Sequence, residues 1–213
     1  MNVWWIPVGT GLFGLLILVG GVVILLVRRR RRRAAIRRRA EVMGSCGWSP
    51  APVDAGLVAL AGRLTVRGRA TQMFAGDFRG RGLRVLDYEF TARRGPAPVH
   101  LIALSLPVAL PPLTVSKDSV LPGVNDIELE SQAFNERFRV QADDQRFASA
   151  LLQPRLMAWL LQNPELQWHL AGDALVSWGY GEVAPADILT RLEAMAGVID
   201  RIPPFVLTDY RVS

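Results

Sequence analysis

Residues 70–90 read ATQMFAGDFRGRGLRVLDYEF. Two stretches of alternating character, Ala70 to Ala75 and Leu83 to Phe90, flank Gly76-Asp77-Phe78-Arg79-Gly80-Arg81-Gly82, so the segment predicts a β-hairpin with a glycine-rich connection. Leu86, Tyr88 and Phe90 fall on one face of the second strand, because successive side chains alternate. The glycines lack the G-x-x-x-x-G-K-[ST] spacing of a phosphate loop, and Gly80-Arg81-Gly82 opens no helix. Backbone amides with Arg79 and Arg81 could hold an anion, but a turn needing positive φ is the expected use of these glycines.

Toward the C-terminus the strand pattern continues. Val99 to Leu106 is apolar on both faces and belongs in the middle of a sheet, ended by Pro107, Pro111 and Pro112. Leu113 to Val115 and Ile127 to Glu130 read as short strands, and Phe134, Phe138 and Val140 as the inner face of another. The period then lengthens. Asp143 or Asp144 caps a helix that buries Phe147, Leu151 and Leu152, and Pro154 opens a second, carrying Leu156, Trp159 and Leu160 and closed by Pro164. Leu166 to Leu170 and Ala174 to Trp178 form a hairpin across Gly172-Asp173. Pro185 opens a last helix with Ile188, Leu192, Met195 and Ile199 on one stripe, stopped by Pro203-Pro204. Upstream, Asp54 caps a short helix to Leu64, with Leu57, Leu60, Ala61 and Leu64 on one face, and residues 34 to 51 read as linker. This order of elements predicts an α+β domain with a largely antiparallel sheet and two or three packed helices.

The N-terminal stretch is of another kind. Val3 to Val27 carries no charge, and twenty-five helical residues span roughly 37 Å against a hydrocarbon core of roughly 30 Å. Trp4 and Trp5 are expected as interface anchors at its outer end. No basic residue precedes the run, which argues against a cleaved signal peptide. Met43-Gly44-Ser45-Cys46 faintly resembles a lipoprotein box, but arginines separate it from the apolar segment. Behind the run stand Arg28, Arg29, Arg30, Arg31, Arg32 and Arg33, then Arg37, Arg38 and Arg39. Such asymmetry predicts an N-terminus outside and a C-terminal domain in the cytoplasm of a single-pass cell-membrane protein. The expected division is 1–2 outside, 3–27 transmembrane helix, 28–52 Arg-rich juxtamembrane segment and linker, and 53–213 soluble domain.

The formal net charge of +6 resides in that segment. From residue 41 onward, sixteen basic residues stand against nineteen acidic, a net of −3. The basic pI is therefore no sign of a nucleic-acid-binding domain, and no aromatic platform is interleaved with the arginines. The nine arginines are instead expected to hold anionic headgroups, each worth roughly 1 kcal/mol near an anionic leaflet.

Catalytic and metal chemistry find few candidates. Cys46 is the only cysteine and lies in the linker, and His100 and His169 are far apart, each in an expected strand. Asp143-Asp144 is explained by helix capping, and Trp159, Trp168 and Trp178 by core packing. The expectation is no catalytic residue, metal or cofactor, and no nucleic-acid partner.

AGDFRGRGLRVLDYEF (75–90) and QAFNERFRVQADDQRFASALLQPRLMAWLL (132–161) resemble segments of a family of uncharacterised actinobacterial single-span membrane proteins. Gly76, Gly80, Asp87, Tyr88, Phe134, Asn135, Phe138, Val140 and Ala148 match its hairpin and its F-N-x-x-F-x-V stretch, and the resemblance covers roughly residues 70–205. It implies an N-terminal span and a cytoplasmic domain, and says almost nothing about activity. The function expected is therefore a membrane-tethered, non-enzymatic interaction or scaffold domain with a protein partner. The alternative is a domain that binds a lipid or small ligand at the membrane surface, and an enzyme comes last.

Overall fold

The structure is a computed structural model describing residues 22–23, 25–27, 29–30, 33–118, 120–121 and 126–212. The chain divides into two compact units, Met1–Val42 and Met43–Ser213. In the first, described residues 22–23, 25–27, 29–30 and 33–42 are helical (α1).

The second unit is an antiparallel sheet covered by helices. Its elements are β1 (Ser49–Pro50), α2 (Ala55–Leu64), β2 (Arg69–Phe78), β3 (Arg81–Ala92), β4 (Gly95–Ser116), β5 (Asp126–Ile127), α3 (Gln132–Asn135), β6 (Arg139–Ala142), α4 (Gln145–Leu151), α5 (Pro154–Gln162), β7 (Trp168–Tyr180), α6 (Pro185–Ile199) and α7 (Pro204–Asp209). The strand order is β1-β2-β3-β4-β6-β5, with β7 also on β4, and every pairing is antiparallel. This is the α+β, antiparallel architecture the pattern predicted, but with six helices, α2 to α7, among the described residues where two or three were expected.

The hairpin forms with a tighter turn than expected. Gly76 to Phe78 and Arg81-Gly82 extend the strands, which leaves Arg79-Gly80 as a two-residue loop. Both loop residues have positive φ, 54° and 74°, the backbone that matches strand twist in a tight hairpin. Gly76 serves packing instead: a Cβ there would come within 2.5 Å of Cδ1 of buried Trp48. Trp48 and β1 belong to this unit although they fall in the stretch read as linker.

The central strand β4 is 22 residues long, and its prolines do not end it. Pro107, Pro111 and Pro112 coincide with irregularities in its pairing with β7, between Ser105 and Leu110 and between Leu110 and Leu113. There β4 passes from lying beside β3 to lying beside β6, and breaks in the ladder tolerate residues without an N–H. The hairpin expected across Gly172-Asp173 is instead one strand, β7, bent at Gly172 (φ 60°). Ser177 Oγ donates to Gln167 O at 2.7 Å, and Gln167 Nε2 to Trp178 O at 3.2 Å. A straight strand would hold residues ten apart roughly 33 Å from each other, so β7 turns a sharp corner.

One further expectation fails. Phe134 and Phe138 do not alternate along a strand. Ser131 caps the short α3, Phe138 N bonds Phe134 O, and the rings stack one helical turn apart with centroids at 5.0 Å. A spacing of four residues fits both periods, and the cap decides for the helix.

Leu86, Leu101 and Trp178 lie in register across β3, β4 and β7 and pack with Leu57, Leu60, Ala61 and Leu64 of α2 on one face. Asp54 accepts from Gly56 N and Leu57 N and also pairs with Arg84. The opposite face carries His100 and Gly179, and a Cβ on Gly179 would strike both the His100 ring and Arg191 Nη1 at the start of α6's middle turn. The helix α6 therefore covers the face opposite α2. Arg79 and Arg81 at the hairpin end reach its Glu193 and Asp200.

Candidate functional site

Of the arginines expected at the membrane surface, Arg29, Arg30, Arg33, Arg37 and Arg38 are exposed on α1, and Arg39 is half-buried. Helical spacing of about 100° per residue distributes them around the axis instead of along one stripe. Arg28, Arg31 and Arg32, and the anchors Trp4 and Trp5, lie outside the described residues, as does most of the apolar run 3–27. Among the described residues no helix is long and apolar enough to cross a membrane. Val22, Val23, Leu25, Leu26 and Val27 are nonetheless all exposed, at 42–51%.

The two histidines stand in strands as read, and the register keeps them apart: His100 faces Gly179, and His169 faces Thr114. His100 Nδ1 donates to Gly181 O at 3.0 Å. His169 Nδ1 lies 2.7 Å from Thr114 Oγ1 in the interior. Burial, and then the charge of Arg63, lower its pKa to about 4, so it is neutral at pH 7. Among the described residues no group of three His, Cys, Asp or Glu could hold a metal. Asp144, not Asp143, caps α4 through Arg146 N and Phe147 N. Trp168 and Trp178 are buried, while Trp159 lies half-buried between Gly197 and the Arg201 guanidinium, 3.9 Å from its ring.

A groove of about 290 Å³ opens between the segment after α5 and the first turns of α6. Asn163, Pro164, Glu165 and Leu166 form one wall, and Asp187, Thr190, Arg191 and Ala194 the other. Arg191 is half-buried there, with Nη1 donating to Trp178 O at 3.0 Å. Gly179 makes this reach possible, since any side chain would occupy the space of the guanidinium. Burial lowers the Arg191 pKa, against the opposing charges of Asp187 and Glu165. Neither carboxylate is among its ion pairs. Glu165 is bound instead by Lys117 Nζ at 2.7 Å to each oxygen, which lowers its pKa. Sequence reading missed this site because Arg191 and Trp178 belong to different elements and no motif joins them.

No protein-family profile matches the chain, and no curated protein matches it. Among solved structures, the crystal structure of the mycobacterial trehalose monomycolate transport factor A, TtfA, is similar with a TM-score of 0.57. The match covers 79% of this chain and 96% of that one at 16% identity. The two share a fold. The neighbour is mycobacterial, in keeping with the actinobacterial resemblance of residues 70–205.

Proposed function

We propose that this chain is a membrane-tethered accessory protein whose folded domain docks a protein partner on the cytoplasmic side and catalyses no reaction itself. The observation that carries the reading is the first unit. Five aliphatic side chains stand exposed on α1 directly before exposed arginines. Leaving them in water forgoes roughly 25 cal/mol for each Å² of apolar surface. A bilayer removes that loss, and its anionic headgroups suit the arginines. The uncharged sequence from Val3 to Val27 is long enough for a span, and the arginine asymmetry would orient it.

The likeness to TtfA supports the accessory half of the reading. That protein is a transport factor, and this chain covers nearly all of its fold. By extension the partner is a component of a membrane transport process. A tethered docking domain gains from confinement, which raises its effective concentration toward membrane partners.

The test is photo-crosslinking in native membranes from probes on the exposed surface of residues 43–212, paired with a reporter fused after Ser213 that is active only outside the cytoplasm. A recurrent membrane-protein adduct with a silent reporter is the expected result. An active reporter would invert the topology, and the lack of any recurrent adduct would remove the docking role.

A further inference from the structure

The groove beside α6 has a donor and acceptor pattern that selects among ligands. Arg191 offers only donors, and Trp178 O engages Nη1 alone. Among the described residues no carboxylate lies within ion-pair distance of its guanidinium. Around it stand acceptors: Asp187 one turn earlier on α6 and, on the facing wall, Glu165, whose oxygens also hold Lys117 Nζ and keep lone pairs to spare. Thr190 donates its hydroxyl proton to Ala186 O, so its oxygen is left to accept. Pro164, Leu166 and Ala194 supply apolar wall between them.

An anion entering this groove would meet the Asp187 carboxylate beside the guanidinium, and a Glu165 whose charge Lys117 already balances. A cation would meet the guanidinium itself. A neutral group bearing several hydroxyls meets neither difficulty, because each hydroxyl donates to one partner and accepts from another. It would accept from the spare N–H groups of Arg191 and donate to Asp187 and Glu165. The groove's volume lies at the small end of ligand pockets, which suits one sugar ring and not a lipid chain.

We propose that this groove binds a neutral polyhydroxylated group, a sugar or polyol headgroup, with Arg191 as the donor and Asp187 and Glu165 as the acceptors. The proposal is independent of the docking role, since a ligand here needs no protein partner. Free sugar and a glycolipid headgroup share this chemistry, and the experiment separates them.

The full chain is placed in phospholipid nanodiscs, avoiding sugar-based detergents, with the Thr190 methyl group and the Arg191 side chain labelled for NMR. Neutral mono- and disaccharides are titrated in, then glucuronate and glucose 6-phosphate, and finally nanodiscs carrying a neutral glycolipid are compared. Neutral sugars, or the glycolipid alone if the headgroup is the source, should shift both signals saturably. Asp187→Asn should weaken binding about tenfold, as expected for loss of a charged hydrogen-bond partner. Asp187 is exposed and has no hydrogen-bond partner among the described residues, so Asp187→Asn is expected to keep the structure, and Arg191→Lys gives a second reading. Tighter binding of the anions would make this an anion site and overturn the proposal. So would shifts unaffected by both substitutions, or no saturable shift from any neutral sugar or glycolipid.

Discussion

At the residue scale, individual contacts have measurable consequences. His169 is buried and neutral, with its pKa lowered from 6.5 to about 4. Above pH 6.5 folded and unfolded chains are both neutral at this position, and it confers no pH dependence. Between pH 6.5 and about 4 the unfolded chain takes up a proton that the folded chain does not, so stability falls as pH falls. The loss should reach about 3 kcal/mol by pH 4. Denaturant melts across this range should show the slope, and His169→Gln, which does not titrate, should flatten it; an unchanged slope would assign the pH dependence elsewhere. Gly76 is a second case. Its Cβ would sit 2.5 Å from Trp48 Cδ1, so Gly76→Ala should cost about 1–3 kcal/mol. A shift in melting midpoint measures it, and the loss should shrink when Trp48 is also changed to Leu. Neither effect was legible in the sequence. A glycine shortly before Gly80 and Gly82 reads as part of a turn, and only its neighbour across the fold marks it as a packing position.

At the element scale, local signals did best where cap and period agreed. The helix after Asp54 formed with its cap and its four buried residues as read, because both signals rest on residues three or four apart in sequence. Asp54→Ala removes the cap and leaves Arg84 without its carboxylate, and should cost about 1–2 kcal/mol. Asp54→Asn should retain most of the capping part, so equal losses from the two in thermal melts would exclude the cap as the cause. Period alone misled at Phe134 and Phe138, where a spacing of four suits either a helix or a strand. It also misled at Gly172-Asp173. A glycine between two apolar runs signals a change of direction but not what pairs beside it, and here both arms lie along β4. Pro107, Pro111 and Pro112 were read as terminators of β4 because each lacks an N–H. The break in ladder register, a property of the neighbouring strand, makes them harmless.

At the scale of the whole molecule, the charge distribution leads. An arginine segment adjoins a domain that carries net negative charge. A peptide of residues 28–40 should associate with vesicles containing anionic lipid and detach as salt shortens the screening length from roughly 10 Å at 0.1 M to roughly 3 Å at 1 M. Co-sedimentation measures this, and equal binding to neutral vesicles would remove the electrostatic account. The sequence by itself determined the apolar run, the arginine asymmetry, the helix at Asp54, the central place of Val99 to Leu106 and the α+β class. These are carried by composition and by neighbours a few residues apart. The tertiary structure alone decided the corner in β7, the passage of β4 between two neighbours, the use of Gly76 and Gly179, and the groove at Arg191. Each of these depends on which distant residue lies opposite. A long chain can close contacts between residues far apart at an entropic cost that rises only slowly with their separation, so local pattern holds no record of them.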